Sequence, residues 1–175
     1  MPKLNFTPEQ RFILMMIADL YREPEDRELD PKFVTEALIG GHDWALDWNG
    51  VLPEEIASED DVRYVMDVLD TWRFIEEGWA RLSPEEQQQV QAAVPHLTEP
   101  KFTGFDGNNE GIHLSIARMF IDQMGNWAEF KGRSLNSHHP TRDRYEEMVA
   151  TFRPMREHLH TGSLTADQLI EILSR

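Results

Sequence analysis

Residues 131 to 140 run Lys-Gly-Arg-Ser-Leu-Asn-Ser-His-His-Pro, a stretch that gathers side chains able to hold an anion. Arg133 offers a planar fork that can grip a phosphate or carboxylate through two parallel hydrogen bonds. Ser134, Asn136, His138 and His139 add neutral donors, and the amides opening a following helix would complete such a site. The plainer alternative is a polar connector whose Asn136 and Ser137 bond the backbone and cap the next helix. What singles the loop out is charge. Residues 1–130 carry 10 basic against 26 acidic side chains, whereas residues 131–160 carry six basic against four acidic. In a chain of net charge −15, this is the one segment that meets an anion on favourable terms.

A second pattern is Glu-x-x-His, present at Glu110/His113 and at Glu157/His160. Two such pairs on facing helices, with a Glu from each of two more, hold the metals of di-iron bundles. Asp19, Asp67 and Asp70 could add acid. The context opposes that chemistry, however. Glu110 falls in the first turn of its helix beside Gly111, and the second pair follows Pro154 near a helix end. The expectation is no metal site, with a helix-start Glu favoured by the dipole and a surface His.

The third pattern is Gly40-Gly41-His42-Asp43-Trp44-Ala45-Leu46-Asp47-Trp48. Trp44 and Trp48 stand one helical turn apart and could face a flat or cationic ligand. Such pairs more often fill a core or an oligomer interface, which is the expectation here. Asp43 and Asp47 are read as a solvated face. There is no Gly-x-x-x-x-Gly-Lys loop, Gly-x-Gly-x-x-Gly, His-Glu-x-x-His or Gly-x-Ser-x-Gly. No catalytic residue and no cofactor are therefore assigned.

The elements that must position these residues announce themselves by their starts. Thr7-Pro8-Glu9-Gln10, Ser83-Pro84-Glu85-Glu86 and Thr165-Ala166-Asp167-Gln168 are capping boxes, and Asp30-Pro31 is a cap with proline at the first helical position. Ser58-Glu59-Asp60-Asp61 is a weaker, acidic start. Leu29 with Val34 and Leu164 with Leu169 are spaced as hydrophobic staples. These signals predict helices near 8–22, 31–39, 59–81, 84–93, 107–125, 142–160 and 166–174.

Val62, Val65, Leu69, Trp72, Ile75 and Trp79 recur at three- and four-residue steps, the mark of one buried face. The helix near 107–125 has two apolar stripes and should be central, whereas 84–93 is polar and should lie on the surface. Pro154 should kink or split its helix. Thr98 to Phe105 is the best candidate for a short extended segment. The longest apolar run, Phe12 to Ala18, belongs to an amphipathic helix and is far short of a membrane span.

These elements predict an all-α fold, a compact multi-helix domain of about seven helices. With 175 residues it is one domain, 1–175, or two helical halves, 1–97 and 98–175, sharing a core. Five Trp and nine Phe supply the apolar surface for that core. The absence of Cys excludes disulfides and thiol chemistry. Together with an N-terminus lacking the pattern of a secretory signal, it points to the cytoplasm.

Phe102-Thr103-Gly104-Phe105-Asp106, Glu110, the loop from Gly132 to Pro140 and Tyr145-x-x-Met148 resemble the YfbU family of bacterial proteins. So do the gapless first helix, Gly40-Gly41 with Trp44, and Val68-Leu69-Asp70-x-Trp72-Arg73, so that the likeness spans essentially the whole chain. The resemblance implies an all-helical cytosolic protein that self-associates, and it brings no reaction and no catalytic residues. In physical terms Gly104 turns the chain sharply, Phe105 plugs the core and Asp106 caps the following helix.

The preferred expectation is a non-enzymatic interaction protein, a homodimer that meets a protein partner through apolar and aromatic surface. The alternative is a small-molecule or nucleotide-binding protein, or a hydrolase, using Arg133, Asn136, His138 and His139. A DNA-binding regulator ranks third, because the negative field repels phosphate backbones. A membrane location is not expected.

Overall fold

The computed structural model describes residues 5–20, 30–48, 56–159 and 162–175, with the backbone alone at Asp47. The fold is all-α. Among the described residues there is no strand, only a single parallel bridge between Phe105 and Asn136. No described helix is long and apolar enough to cross a membrane. The chain divides into two compact units, Met1–Ile56 and Ala57–Arg175.

In the first unit, α1 (Pro8–Leu20), α2 (Pro31–Ile39) and α3 (Asp43–Trp48) pack around Ala37, Leu38 and Leu46. Leu14 and Met15 of α1 lean on that core together with Phe33 and Val34 of α2. Asp30 caps α2, its carboxylate accepting from the Lys32 N–H at 2.9 Å. Arg11 then pins the three helices together. Its guanidinium donates to the Leu38 carbonyl at 3.2 Å and to the Asp43 carboxylate at 2.8 Å. Asp43 is therefore buried and paired rather than solvated. The predicted partner of Val34 in a hydrophobic staple, Leu29, lies outside the described residues.

The second unit is organised on α4 (Glu59–Arg81). Its Val65, Leu69, Trp72, Ile75 and Trp79 are buried at the predicted spacing, and Val68 and Thr71 widen the stripe. The acidic start proves to be a full capping box. Asp61 takes the place usually held by Glu or Gln, accepting from the Ser58 N–H at 3.0 Å while the Ser58 hydroxyl accepts from the Asp61 N–H. Helix α5 (Pro84–Ala93) buries only Val90, as its polar sequence requires. Helices α6 (Gly111–Arg118), α7 (Arg142–Arg156) and α8 (Ala166–Leu173) complete the unit.

Two expected boundaries move, each for a physical reason. The helix anticipated over 107–125 opens at Gly111, because Asp106 closes a turn ahead of the helix instead of capping it. Its carboxylate accepts from the Asn108 N–H at 3.0 Å and from the Asn109 amide. The same helix widens into a π turn over Met119–Gln123, which leaves Met119 and Met124 exposed. Helix α7 runs through Pro154 in its last turn and ends two residues later, at Arg156. The segment 98–105, expected to be extended, bends at Thr98 and Glu99 and turns at Gly104, and it lies inside the second unit with Phe102 and Phe105 in its core.

Candidate functional site

The loop 131–140 is built into the second unit by its own polar side chains. Arg133 directs both terminal guanidinium nitrogens at Glu76 of α4, at 2.8 and 2.9 Å, and lies 5.0 Å above the Phe130 ring. The same Glu76 carboxylate accepts from the Phe102 N–H at 2.8 Å. One ion pair thus fastens both the loop and the 98–105 segment to α4. The Asn136 side-chain oxygen accepts from the Gly107 and His138 N–H groups, both at 3.0 Å. The Ser137 hydroxyl donates to the His139 carbonyl at 2.7 Å. Ser134, His138 and His139 are exposed, and His138 takes a left-handed φ of 59°.

Of the five residues expected to hold a ligand, Arg133 and Asn136 are thus occupied by the protein itself, and His139 Nδ1 lies 2.6 Å from the Ser137 carbonyl. Removing the guanidinium should show this without any ligand. Arg133→Ala is expected to lower stability by about 1.5–3 kcal/mol, because Glu76 loses a bidentate partner. Chemical denaturation followed by circular dichroism measures the loss.

Glu110 and His113 of the first Glu-x-x-His pair serve separate tasks. Oε1 of Glu110 accepts from the Thr141 and Arg142 N–H groups, both at 2.7 Å. Oε2 accepts from the Asp106 N–H at 2.9 Å and the Thr141 hydroxyl at 2.7 Å. Four donors fill the four acceptor positions of a carboxylate, which leaves none for a metal. Helix α7 has no side-chain cap of its own, and Glu110 acts in that place from 31 residues away. Burial alone would raise its pKa. The hydrogen bonds from Asp106, Thr141 and Arg142 outweigh that and hold the carboxyl below its usual range.

His113 is buried, contrary to the surface position expected, with Nε2 3.2 Å from the Asp61 carboxylate and its ring against Tyr64 and Phe105. Asp61 accepts, so Nε2 carries the proton and Nδ1 is left without a partner. In the second pair, His160 lies outside the described residues.

Trp44 and Trp48 are not core residues. They are 65% and 85% exposed, on a helix that buries Leu46. The larger surprise is α1. Phe12, Ile13, Met16, Ile17 and Leu20 are 65%, 55%, 56%, 45% and 80% exposed. At 100° per residue they share a single arc of about 140°, opposite the Arg11, Leu14, Met15 and Ala18 side that faces the unit's core. The helix expected to be amphipathic is apolar on both sides. Its seven-residue run already signalled this, since a helix with one wet face needs a polar residue every third or fourth position.

Comparison with known proteins supplies a family and no ligand. Residues 7–174 match the YfbU domain. The chain is also similar to UPF0304 protein MJECS11 of Methanocaldococcus jannaschii, with 23% identity over 121 residues that cover 66% of this chain and 68% of the relative. A match over nearly the whole chain, residues 7–174, assigns the protein: it belongs to the YfbU family.

Proposed function

We propose that this chain is a non-enzymatic interaction protein of the cytoplasm that self-associates through the apolar surface of its first unit. The observation that carries the proposal is the exposed α1 stripe of Phe12, Ile13, Met16, Ile17 and Leu20. At these exposures the five side chains present on the order of 500 Å² of apolar surface, near the top of what a monomer's largest patch shows. Ile39, Trp44 and Trp48 are exposed in the same unit, and Trp is the residue most enriched where interfaces draw their energy. The best-placed chemical groups of the second unit are committed within it, Glu110 to backbone N–H groups and Arg133 to the Glu76 carboxylate.

A second copy fits this surface because the stripe from Phe12 to Leu20 is uncharged, with Glu9, the carboxylate on the same arc, beyond its N-terminal end. Each chain carries a net charge of −15, so two copies repel except where they meet through neutral, apolar residues. Association driven this way strengthens as salt rises from about 0.05 to about 0.5 M, since screening removes repulsion and leaves apolar burial intact.

Size-exclusion chromatography with light scattering tests the proposal. The wild type should elute at twice the chain mass of 20.4 kDa. Ile17→Asp places an unpaired carboxylate in the stripe. It should weaken association by roughly 100-fold or more while leaving the helical content unchanged. A wild type that stays at the mass of one chain up to high concentration, at either salt, would rule the proposal out.

A further inference from the structure

We infer that two copies pair α1 against α1 antiparallel, about a two-fold axis passing between Met16 and Ile17. The inference rests on the self-association proposed above and adds its geometry. Within the exposed arc, Ile13 and Leu20 lie near the centre, Met16 to one side, Ile17 to the other, and Phe12 at an edge. A two-fold at that level brings Ile13 against the partner's Leu20. It also sets Met16 beside the partner's Met16, and Ile17 beside the partner's Ile17. The steps of three and four residues between Ile13, Met16, Ile17 and Leu20 let these side chains interdigitate across a close helix pair. The stripe is therefore complementary to itself when reversed, so one surface supplies both halves of the contact, as a two-fold interface requires.

Area and charge favour the same arrangement. Complete burial of two stripes of this size, Phe12 included, removes about 1,000 Å² in total, the level at which a specific interface becomes credible. A parallel pair would set Glu9 on Glu9 and Asp19 on Asp19. The antiparallel pair parts the two Glu9 residues by about 22 Å along the axis and the two Asp19 residues by about 7 Å, and it opposes the helix dipoles.

The chain contains no cysteine, so single cysteines report the register without interference. Ile13→Cys, Met16→Cys and Leu20→Cys are each oxidised at a concentration where the wild type is dimeric, then run on non-reducing gels. Circular dichroism confirms that each variant is folded. Met16→Cys should become mostly disulfide-linked dimer. Ile13→Cys alone should stay mostly unlinked, because its two copies lie about 10 Å apart along the axis, beyond disulfide reach. Mixing Ile13→Cys with Leu20→Cys should restore the link. Equal linking of Ile13→Cys and Met16→Cys alone would mean parallel helices and overturn the inference. A wild-type dimer whose variants remain dimeric yet never cross-link would place the interface elsewhere, overturning the geometry while self-association stands. A monomeric wild type would overturn both.

Discussion

Glu110→Ala is expected to remove a large part of the second unit's stability, a larger loss than Arg133→Ala should cause. The change strands the N–H groups of Asp106, Thr141 and Arg142 and the Thr141 hydroxyl, which all donate to this one carboxylate. Each buried donor left unpaired costs about 1–3 kcal/mol, so the sum reaches about 4 kcal/mol or more. That is a large part of the roughly 5–15 kcal/mol by which a domain is stable. Urea denaturation followed by far-ultraviolet circular dichroism measures it.

Glu110→Gln should cost less, about 2–3 kcal/mol, because one oxygen still accepts while the new amide faces a donor. The two proteins should also differ in their response to acid. The Glu110 pKa is lowered in the folded state, so its contribution is present above the ordinary glutamate pKa and is lost as pH falls through the folded value. The gap between wild type and Glu110→Gln should therefore narrow below about pH 4.5. A gap that widened on acidification would show that the carboxylate is not the stabilising form.

Gly104→Ala is expected to cost about 3–5 kcal/mol, through a clash and a strained backbone together. Gly104 has φ of +88°, and a methyl group there would fall on the Leu135 carbonyl. That carbonyl is not free to move. It accepts from the Phe105 N–H at 2.9 Å, the Phe105 carbonyl accepts from the Ser137 N–H at 3.1 Å, and the Gly104 carbonyl accepts from the Tyr145 hydroxyl at 3.1 Å. Burial pushes the Tyr145 hydroxyl up to about 12, which keeps it protonated as that donor. The substitution must therefore pull apart the bridge between the 98–105 segment and the 131–137 loop. Thermal melting of the variant measures the damage, and a melting temperature within a degree of wild type would show that the bridge yields easily.

The helices are legible where a local signal sets them. Ser83, Thr165 and Asp30 cap the helices they announce, and the α4 stripe from Val65 to Trp79 is buried at its sequence spacing. Gly104 and Phe105 are legible too, as a turn and a core plug. What depends on distant partners is not. Glu110 looks like a residue favoured by its own helix dipole, and only the fold brings Thr141 onto it from 31 positions away. Arg133 looks like the free cation of a basic loop until Glu76 of α4 arrives opposite it. In both cases a polar side chain that the sequence offers to a ligand is spent on the backbone or on an ion pair. The α1 stripe is different. Its apolar run is plain to see, but which half of it is buried depends on how α2 and α3 pack beneath.

The proposed function divides the labour between an apolar first-unit surface that would work by contact and a second unit whose polar groups maintain its own fold. Hydrogen exchange read by mass spectrometry at low and high protein concentration tests that division most directly. Amides of Pro8–Leu20 should gain protection as concentration rises, while the 131–140 loop exchanges equally at both and ignores added phosphate. An α1 that exchanges identically at both concentrations, with a loop that slows on addition of phosphate, would contradict that division and move the working site to Arg133 and its neighbours.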